Sequence, residues 1–132
     1  NAKLQNRVIF TGHLDKTERI HAYRDADIFI STSWYENFGM SIAEAMLSEL
    51  PVIISDQVGL SKAIKDSNTG IVVPLDIQII SREMKRLLKN DDLRIDFGRR
   101  ARPFIMENYS PMNIASEMKQ QFESTVRIGS HC

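Results

Sequence analysis

Apolar positions along this chain follow two rhythms, and the change from one to the other divides it. Through the first two thirds, short runs rich in β-branched and aromatic residues alternate with stretches of helical spacing. Arg7 to Thr11, Asp27 to Ser31, Pro51 to Ser55 and Ile71 to Val73 read as four strands. Each is a nearly continuous apolar run, the pattern of a strand covered on both faces. Pro51 opens the third, where a missing N–H does least harm, and Pro74 stops the fourth. Between the strands, Lys16 to Tyr23 reads as a short helix. Met40 to Ser48 reads as another, with apolar residues at 42, 43, 46 and 47 and again at 50, and Leu60 to Lys65 as a helical turn or two. Strands alternating with helices predict the α/β class: a parallel sheet with helices on both faces.

The last third is helical. Ile77, Ile80, Met84, Leu87 and Leu88 recur at helix spacing. Asn90-Asp91-Asp92 supplies a break and a cap, after which Leu93, Phe97, Ala101, Phe104 and Ile105 share one face. Pro103 is expected to kink or end that helix near Arg102. Ser110-Pro111 reads as N-cap and first helical residue of a final helix marked by Ile114, Met118 and Phe122, followed by a frayed tail from Arg127. With no internal repeat or low-complexity tract, one domain spanning 1–132 is expected.

Composition narrows the function classes. Lys plus Arg equals Asp plus Glu at 17 each, so no global field argues for nucleic acid or an acidic membrane. The single cysteine, Cys132, allows no internal disulfide, which is compatible with a reducing compartment. No apolar run approaches the roughly 18 residues of a membrane span, and no signal-peptide pattern is present. The chain opens at Asn1 rather than Met, so a piece of a longer protein is expected.

Chemistry concentrates in one segment. Glu36 and Glu44 are separated by seven residues, Asn37-Phe38-Gly39-Met40-Ser41-Ile42-Ala43. The first carboxylate falls in a loop after an apolar strand, the second about a turn inside the next helix. Phe38-Gly39 lies between them, where a residue without a Cβ lets the backbone approach a ligand. Strand, glycine turn and helix N-terminus make an anion site, through free N–H groups and the helix dipole. Two carboxylates would repel a bare phosphate. They suit a ligand with hydroxyl groups on both sides of a diphosphate, as a nucleotide sugar has. The plainer alternatives are a solvent-facing helix Glu at 44 and a capping or loop residue at 36.

In order along the chain stand Val8-Ile9-Phe10-Thr11-Gly12, Tyr23-Arg24-Asp25-Ala26-Asp27-Ile28-Phe29, the Glu-seven-Glu segment, Pro51-Val52-Ile53-Ile54-Ser55-Asp56 with Gly59, and Thr69-Gly70-Ile71-Val72-Val73. These five segments, from about Arg7 to Tyr109, resemble the carboxy-terminal, donor-binding half of retaining glycosyltransferases of the GT-B fold, in particular the large family 4 group. The resemblance implies a Rossmann-like sheet, here an incomplete GT-B carboxy-terminal domain. It also implies transfer of a hexose from a UDP- or GDP-sugar to a hydroxyl of a polysaccharide, glycolipid or similar acceptor, with no cofactor and no divalent metal.

By the same resemblance, Glu36 is the catalytic carboxylate beside the transferred sugar, and the loop Asn37, Phe38, Gly39 and Met40 holds sugar hydroxyls and diphosphate through backbone N–H groups. Glu44 takes the two ribose hydroxyls, a task that suits a carboxylate's two oxygens. Gly12, His13 and Leu14 pass the base. His13 has no serine or cysteine nucleophile placed to use it, and His21 and His131 carry no metal-ligand spacing. Trp34 and Tyr35 either line the cleft or form a partly buried aromatic pair at the strand end. Gly59 matches a family glycine, whereas Lys62 stands where an acidic residue is common. Arg99, Arg100 and Arg102, with Lys85, Arg86 and Lys89 upstream, are either a solvated helix face or a peripheral docking patch for anionic lipid.

The family has two further strands, central in its sheet and bearing an Arg and a Lys that grip the diphosphate, and an amino-terminal acceptor domain. This chain has no counterpart of them. Its first and second strands should therefore pair differently, or expose apolar edges that a partner covers, with self-association a consequence. A cytoplasmic enzyme, at or near the cytoplasmic face of a membrane, is implied. The alternative from another class is a non-catalytic nucleotide-binding module or an interaction remnant.

Overall fold

A computed structural model describes residues 7–110, 112 and 113. Its elements are α1 (Lys16–Asp25), β1 (Phe29–Ser31), α2 (Met40–Leu47), β2 (Val52–Ser55), α3 (Ser61–Ser67), β3 (Ile71–Val73), α4 (Ile77–Leu88) and α5 (Asp91–Tyr109). The strands form a parallel sheet in the order β1-β2-β3, with Phe29 opposite Val52 and Ile53 opposite Ile71. Pro51 stands just outside β2, and its carbonyl accepts the Phe29 N–H at 3.0 Å.

Every residue of β2 is buried, and the period of two sorts them between two cores. Val52 and Ile54 pack with Ile42, Ala45 and Met46 of α2, Ile64 of α3, and Ala101 and Ile105 of α5. Ile53 packs with Ile71, Val73, Leu87 of α4 and Phe97 of α5. Helices thus cover both faces, and α5 reaches into both cores. Full burial of each such aliphatic side chain contributes about 1.5–3 kcal/mol.

Two expectations need correction. Residues 8–10 form no strand, and Val8, Ile9 and Phe10 are 51%, 84% and 94% exposed. An apolar run becomes a strand only beside a neighbour that takes its backbone hydrogen bonds, and no described strand pairs with it. One edge of β1 is correspondingly unpaired among the described residues.

Second, α5 does not end at Pro103 but runs on to Tyr109. Proline inside a helix costs about 3 kcal/mol. Beyond it Ile105 is buried, and Tyr109 packs edge-on against Phe104 and Phe38 with centroids 5.8 and 5.4 Å apart. Burial of Ile105 at about 1.5–3 kcal/mol and about 0.5–1.5 kcal/mol per aromatic pair offset that cost. Downstream, the Asn113 N–H donates to Ser110 Oγ at 3.2 Å, the bond expected of an N-cap at Ser110. The final helix with Ile114, Met118 and Phe122, and the tail, lie outside the described residues.

The turn after α2 is sharp. Leu50 N–H donates to the Ala45 carbonyl and Glu49 N–H to that of Met46, with Glu49 left-handed at φ 61°. This is a Schellman closure with glutamate where glycine is usual. The backbone of α5 backs onto it at Gly98, where a Cβ would lie 2.1 Å from the Glu49 carbonyl oxygen.

Candidate functional site

The loop from β1 to α2 is held from below. Ser55, fully buried at the end of β2, donates its hydroxyl to the Ser33 carbonyl at 2.6 Å. Glu36 forms a parallel bridge with Val58, and the Gly59 N–H donates to the Glu36 carbonyl at 2.8 Å. The two segments run so close that a Cβ on Gly59 would lie 1.8 Å from the Asn37 carbonyl oxygen. Gly59, which the sequence offers only as a family match, has its reason in that approach. Lys62 sits at the start of α3 and faces water, paired at 2.5 Å with Asp66 a turn later; that hydrogen bond raises its pKa.

Gly39 turns the chain into α2 with φ 93°, a region that favours glycine. A Cβ there would meet Ile42 Cδ1 at 2.7 Å. The helix starts without a side-chain cap, whereas Asp15, Asp76 and Asn90 cap α1, α4 and α5. The backbone N–H groups of Phe38, Gly39, Met40 and Ser41 find no acceptor among the described residues. Unsatisfied donors at the positive end of a helix dipole are what an anionic group requires. The Phe38 side chain turns away to pack on Tyr109. Trp34 and Tyr35 are 82% and 80% exposed, which excludes a partly buried pair. Glu36 is half-buried, and its carboxylate takes no hydrogen bond from the described residues.

Glu44 lies one turn into α2 and lines a groove of about 500 Å³ between α1, the end of α2 and Arg102 of α5. Its carboxylate is already engaged. Arg19 donates from Nη2 to Oε1 at 3.0 Å and stands with Nε 2.9 Å from Oε2, a two-pronged pair, and the Tyr23 hydroxyl donates to Oε2 at 3.2 Å. Tyr23 is buried, edge-on to Phe29 at 5.8 Å. Burial raises its pKa, and the Glu44 charge adds to that. Sequence reading missed Arg19 and Tyr23 as partners of Glu44. Their spacing of four residues, which sets both on one face of α1, was the available signal.

Gly12, His13 and Leu14 precede the α1 cap residue Asp15 and do not line this groove. Gly12 has φ 68° with nothing within 4 Å of a would-be Cβ, and His13 is exposed. The structure thus carries the 36–40 loop and Glu44 at the start of α2, and leaves 12–14 before the α1 cap, outside the groove that Glu44 lines.

The basic residues of α4 and α5 are largely paired: Arg100 with Asp96 at 2.7 Å, Arg102 with Glu49 at 3.2 Å, and Arg82 and Arg86 with Glu83 at 3.1 and 3.0 Å. Burial alone would raise the Glu83 pKa, but hydrogen bonds from Arg86 and Arg82 outweigh it and hold the pKa down. Among the described residues no cluster of three His, Cys, Asp or Glu side chains is arranged to hold a metal, and no helix is long and apolar enough to cross a membrane.

Known proteins share this architecture. Residues 1–104 match the family described as Glycosyl transferases group 1. The poly(ribitol-phosphate) alpha-N-acetylglucosaminyltransferase of Staphylococcus aureus is 32% identical over 123 residues, covering 92% of this chain and 24% of that enzyme. The N-acetyl-alpha-D-glucosaminyl L-malate synthase of Bacillus anthracis is 27% identical over 128 residues, 96% of this chain and 33% of that enzyme. The chain therefore spans about a quarter to a third of these curated relatives. Among solved structures, a variant of S. aureus TarM in complex with fondaparinux, alpha-GlcNAc-glycerol and UDP aligns with TM-score 0.79 at 32% identity, over 90% of this chain and 24% of that one. The C-terminal domain of the glycosyl transferase LpcC from Francisella tularensis aligns with TM-score 0.71 at 26% identity, over 83% of this chain and 60% of that one. The α/β sheet is that of GT-B glycosyltransferase domains, and the chain belongs to the glycosyl transferases group 1 family.

Proposed function

We propose that this chain is the donor-binding part of a retaining glycosyltransferase that moves a hexose from a nucleoside diphosphate sugar to an acceptor hydroxyl. The observation that carries the reading is the uncapped N-terminus of α2 behind Gly39, with Glu36 in the loop before it and Glu44 one turn into the helix. Its free N–H groups suit the diphosphate, whose negative charge grows as the sugar departs. Glu44 faces a groove and suits the ribose hydroxyls. Glu36, whose carboxylate has no partner among the described residues, suits the sugar, where a carboxylate offsets the positive charge developing on the ring. The departing diphosphate oxygen takes the acceptor's proton as the new bond forms on the same face. Catalysis of this kind rests on positioning and electrostatics. The UDP bound by a TarM structure of similar fold supports a nucleotide here. A cytoplasmic setting belongs to the same reading.

Calorimetric titration with UDP and GDP tests it. A hydrogen bond to a charged group is worth roughly 1.5–3 kcal/mol, so Glu44→Ala should weaken the nucleoside diphosphate about ten- to a hundredfold. Glu36→Ala should barely affect that ligand, which lacks the sugar, but should lower turnover in the complete enzyme. Equal losses of nucleotide affinity would mean the two roles are wrongly assigned, and no binding of either nucleotide would sink the reading.

A further inference from the structure

The acceptor capacity of Glu44 is nearly filled before any ligand arrives. A carboxylate offers about four lone-pair sites. Arg19 occupies one on each oxygen, at 3.0 and 2.9 Å, and the Tyr23 hydroxyl a second on Oε2, at 3.2 Å. One site, on Oε1, is open. A ribose diol brings two O–H donors, so one present partner must leave for both to bind.

The two partners differ in what leaving costs them. The Tyr23 side chain is only 9% exposed, so its hydroxyl, deprived of Glu44, has little water to turn to. The Arg19 side chain is 40% exposed, and its guanidinium can return to water. Ion pairs open to solvent are worth at most about a fivefold change in an equilibrium.

We propose that Arg19 is the residue the ribose displaces, a competitor built into the groove that sets how tightly the chain holds a nucleotide bearing both ribose hydroxyls. The inference rests on the donor-site reading above. A nucleotide with one ribose hydroxyl fits the open site on Oε1 and leaves Arg19 in place. Arg19 therefore penalises the diol and spares the 2′-deoxy ligand, and it narrows the preference for ribonucleotides that Glu44 alone would give.

The test titrates the 132-residue chain with whichever of UDP and GDP binds, and with its 2′-deoxy analogue, and reads the ratio of the two affinities. Taking the ratio cancels any general effect of removing a cation near a diphosphate. Arg19→Met, which keeps the apolar stem, should raise the ribo-to-deoxy ratio about two- to fivefold, and Arg19→Lys, with no fork, should fall between it and the parent. A ratio unchanged in Arg19→Met overturns the proposal, because the guanidinium then acts by charge alone. A ratio that falls also overturns it, because Arg19 then steadies Glu44 for the diol. Glu44→Gln gives the separate control. If it leaves the ribonucleotide affinity unaltered, the donor-site reading itself fails, a pattern distinct from either Arg19 outcome. Thermal melts of each variant verify that the change at half-buried position 19 has not altered the fold.

Discussion

Replacing Gly59 by alanine puts a methyl carbon 1.8 Å from the Asn37 carbonyl oxygen and 2.8 Å from its carbon, where ordinary contact begins near 3.4 Å. Both obstacles are backbone, so no rotamer relieves them, and the two segments must separate by more than 1 Å. Separation breaks the Gly59 N–H to Glu36 carbonyl bond of 2.8 Å and the Glu36–Val58 bridge. The lost bond costs about 0.5–1.5 kcal/mol and the forced repacking about 1–3 kcal/mol. A destabilisation of roughly 3 kcal/mol follows, and the 36–40 loop moves with it. Gly12→Ala is the control: unlike Gly59 it has a positive φ, at 68°, but its Cβ meets nothing within 4 Å, so only the left-handed backbone costs, about 1–2 kcal/mol. Urea unfolding of both variants gives the comparison directly. If Gly59→Ala is no less stable than Gly12→Ala, the close approach does not hold the loop and the reasoning is refuted.

Two further outcomes follow from the same geometry. With one edge of β1 unpaired among the described residues and Val8, Ile9 and Phe10 exposed, the isolated chain should associate in light scattering, and a dilution-stable monomer would show that this edge is protected. Because the Glu83 pKa is lowered on folding, its stabilisation is present above the unfolded value of 4.5 and is lost as pH falls through the folded pKa. Glu83→Gln should therefore cost about 1.5–3 kcal/mol at neutral pH, with the difference from the parent vanishing in acid; a pH-independent difference in melting would contradict this.

What the sequence disclosed and what it hid divide along physical lines. The runs at 27–31, 51–55 and 71–73 became strands because each has a neighbour within the described residues, and the helix faces of α2, α4 and α5 packed in the main as their spacing requires, except that Leu47 of α2 and Ile77 and Leu88 at the ends of α4 face water. The run at 8–10 had the same local character and no partner among the described residues, and pairing is not a local property. Pro103 obeys a local rule that long-range packing of Ile105 and Tyr109 overrides. In the candidate site, the placement of Glu36 in a loop, Gly39 at the turn and Glu44 inside the helix was legible because a glycine turn before a helix has a distinctive spelling. Arg19 was not, since its meeting with Glu44 spans 25 residues of separation. Nor was the left-handed Glu49, because nothing about a glutamate announces a positive φ.

Helix α5 meets the neighbourhood of α2 at both ends. Near its own end, Tyr109 bears on Phe38 just before α2 begins; nearer its middle, Gly98 backs onto the Glu49 carbonyl just after α2 finishes, and Ala101 and Ile105 fill the space between. A rod braced at its two tips and along its flank has little freedom to tilt or slide. The row of N–H groups at the start of α2 is thus aimed before anything arrives, and a ligand docking there loses its own freedom without also having to order the protein's. In hydrogen exchange, the hydrogen-bonded amides of α2, from Ile42 on, should open only with the whole structure, while the unpaired amides at its start and the surface carrying Trp34 and Tyr35 exchange freely.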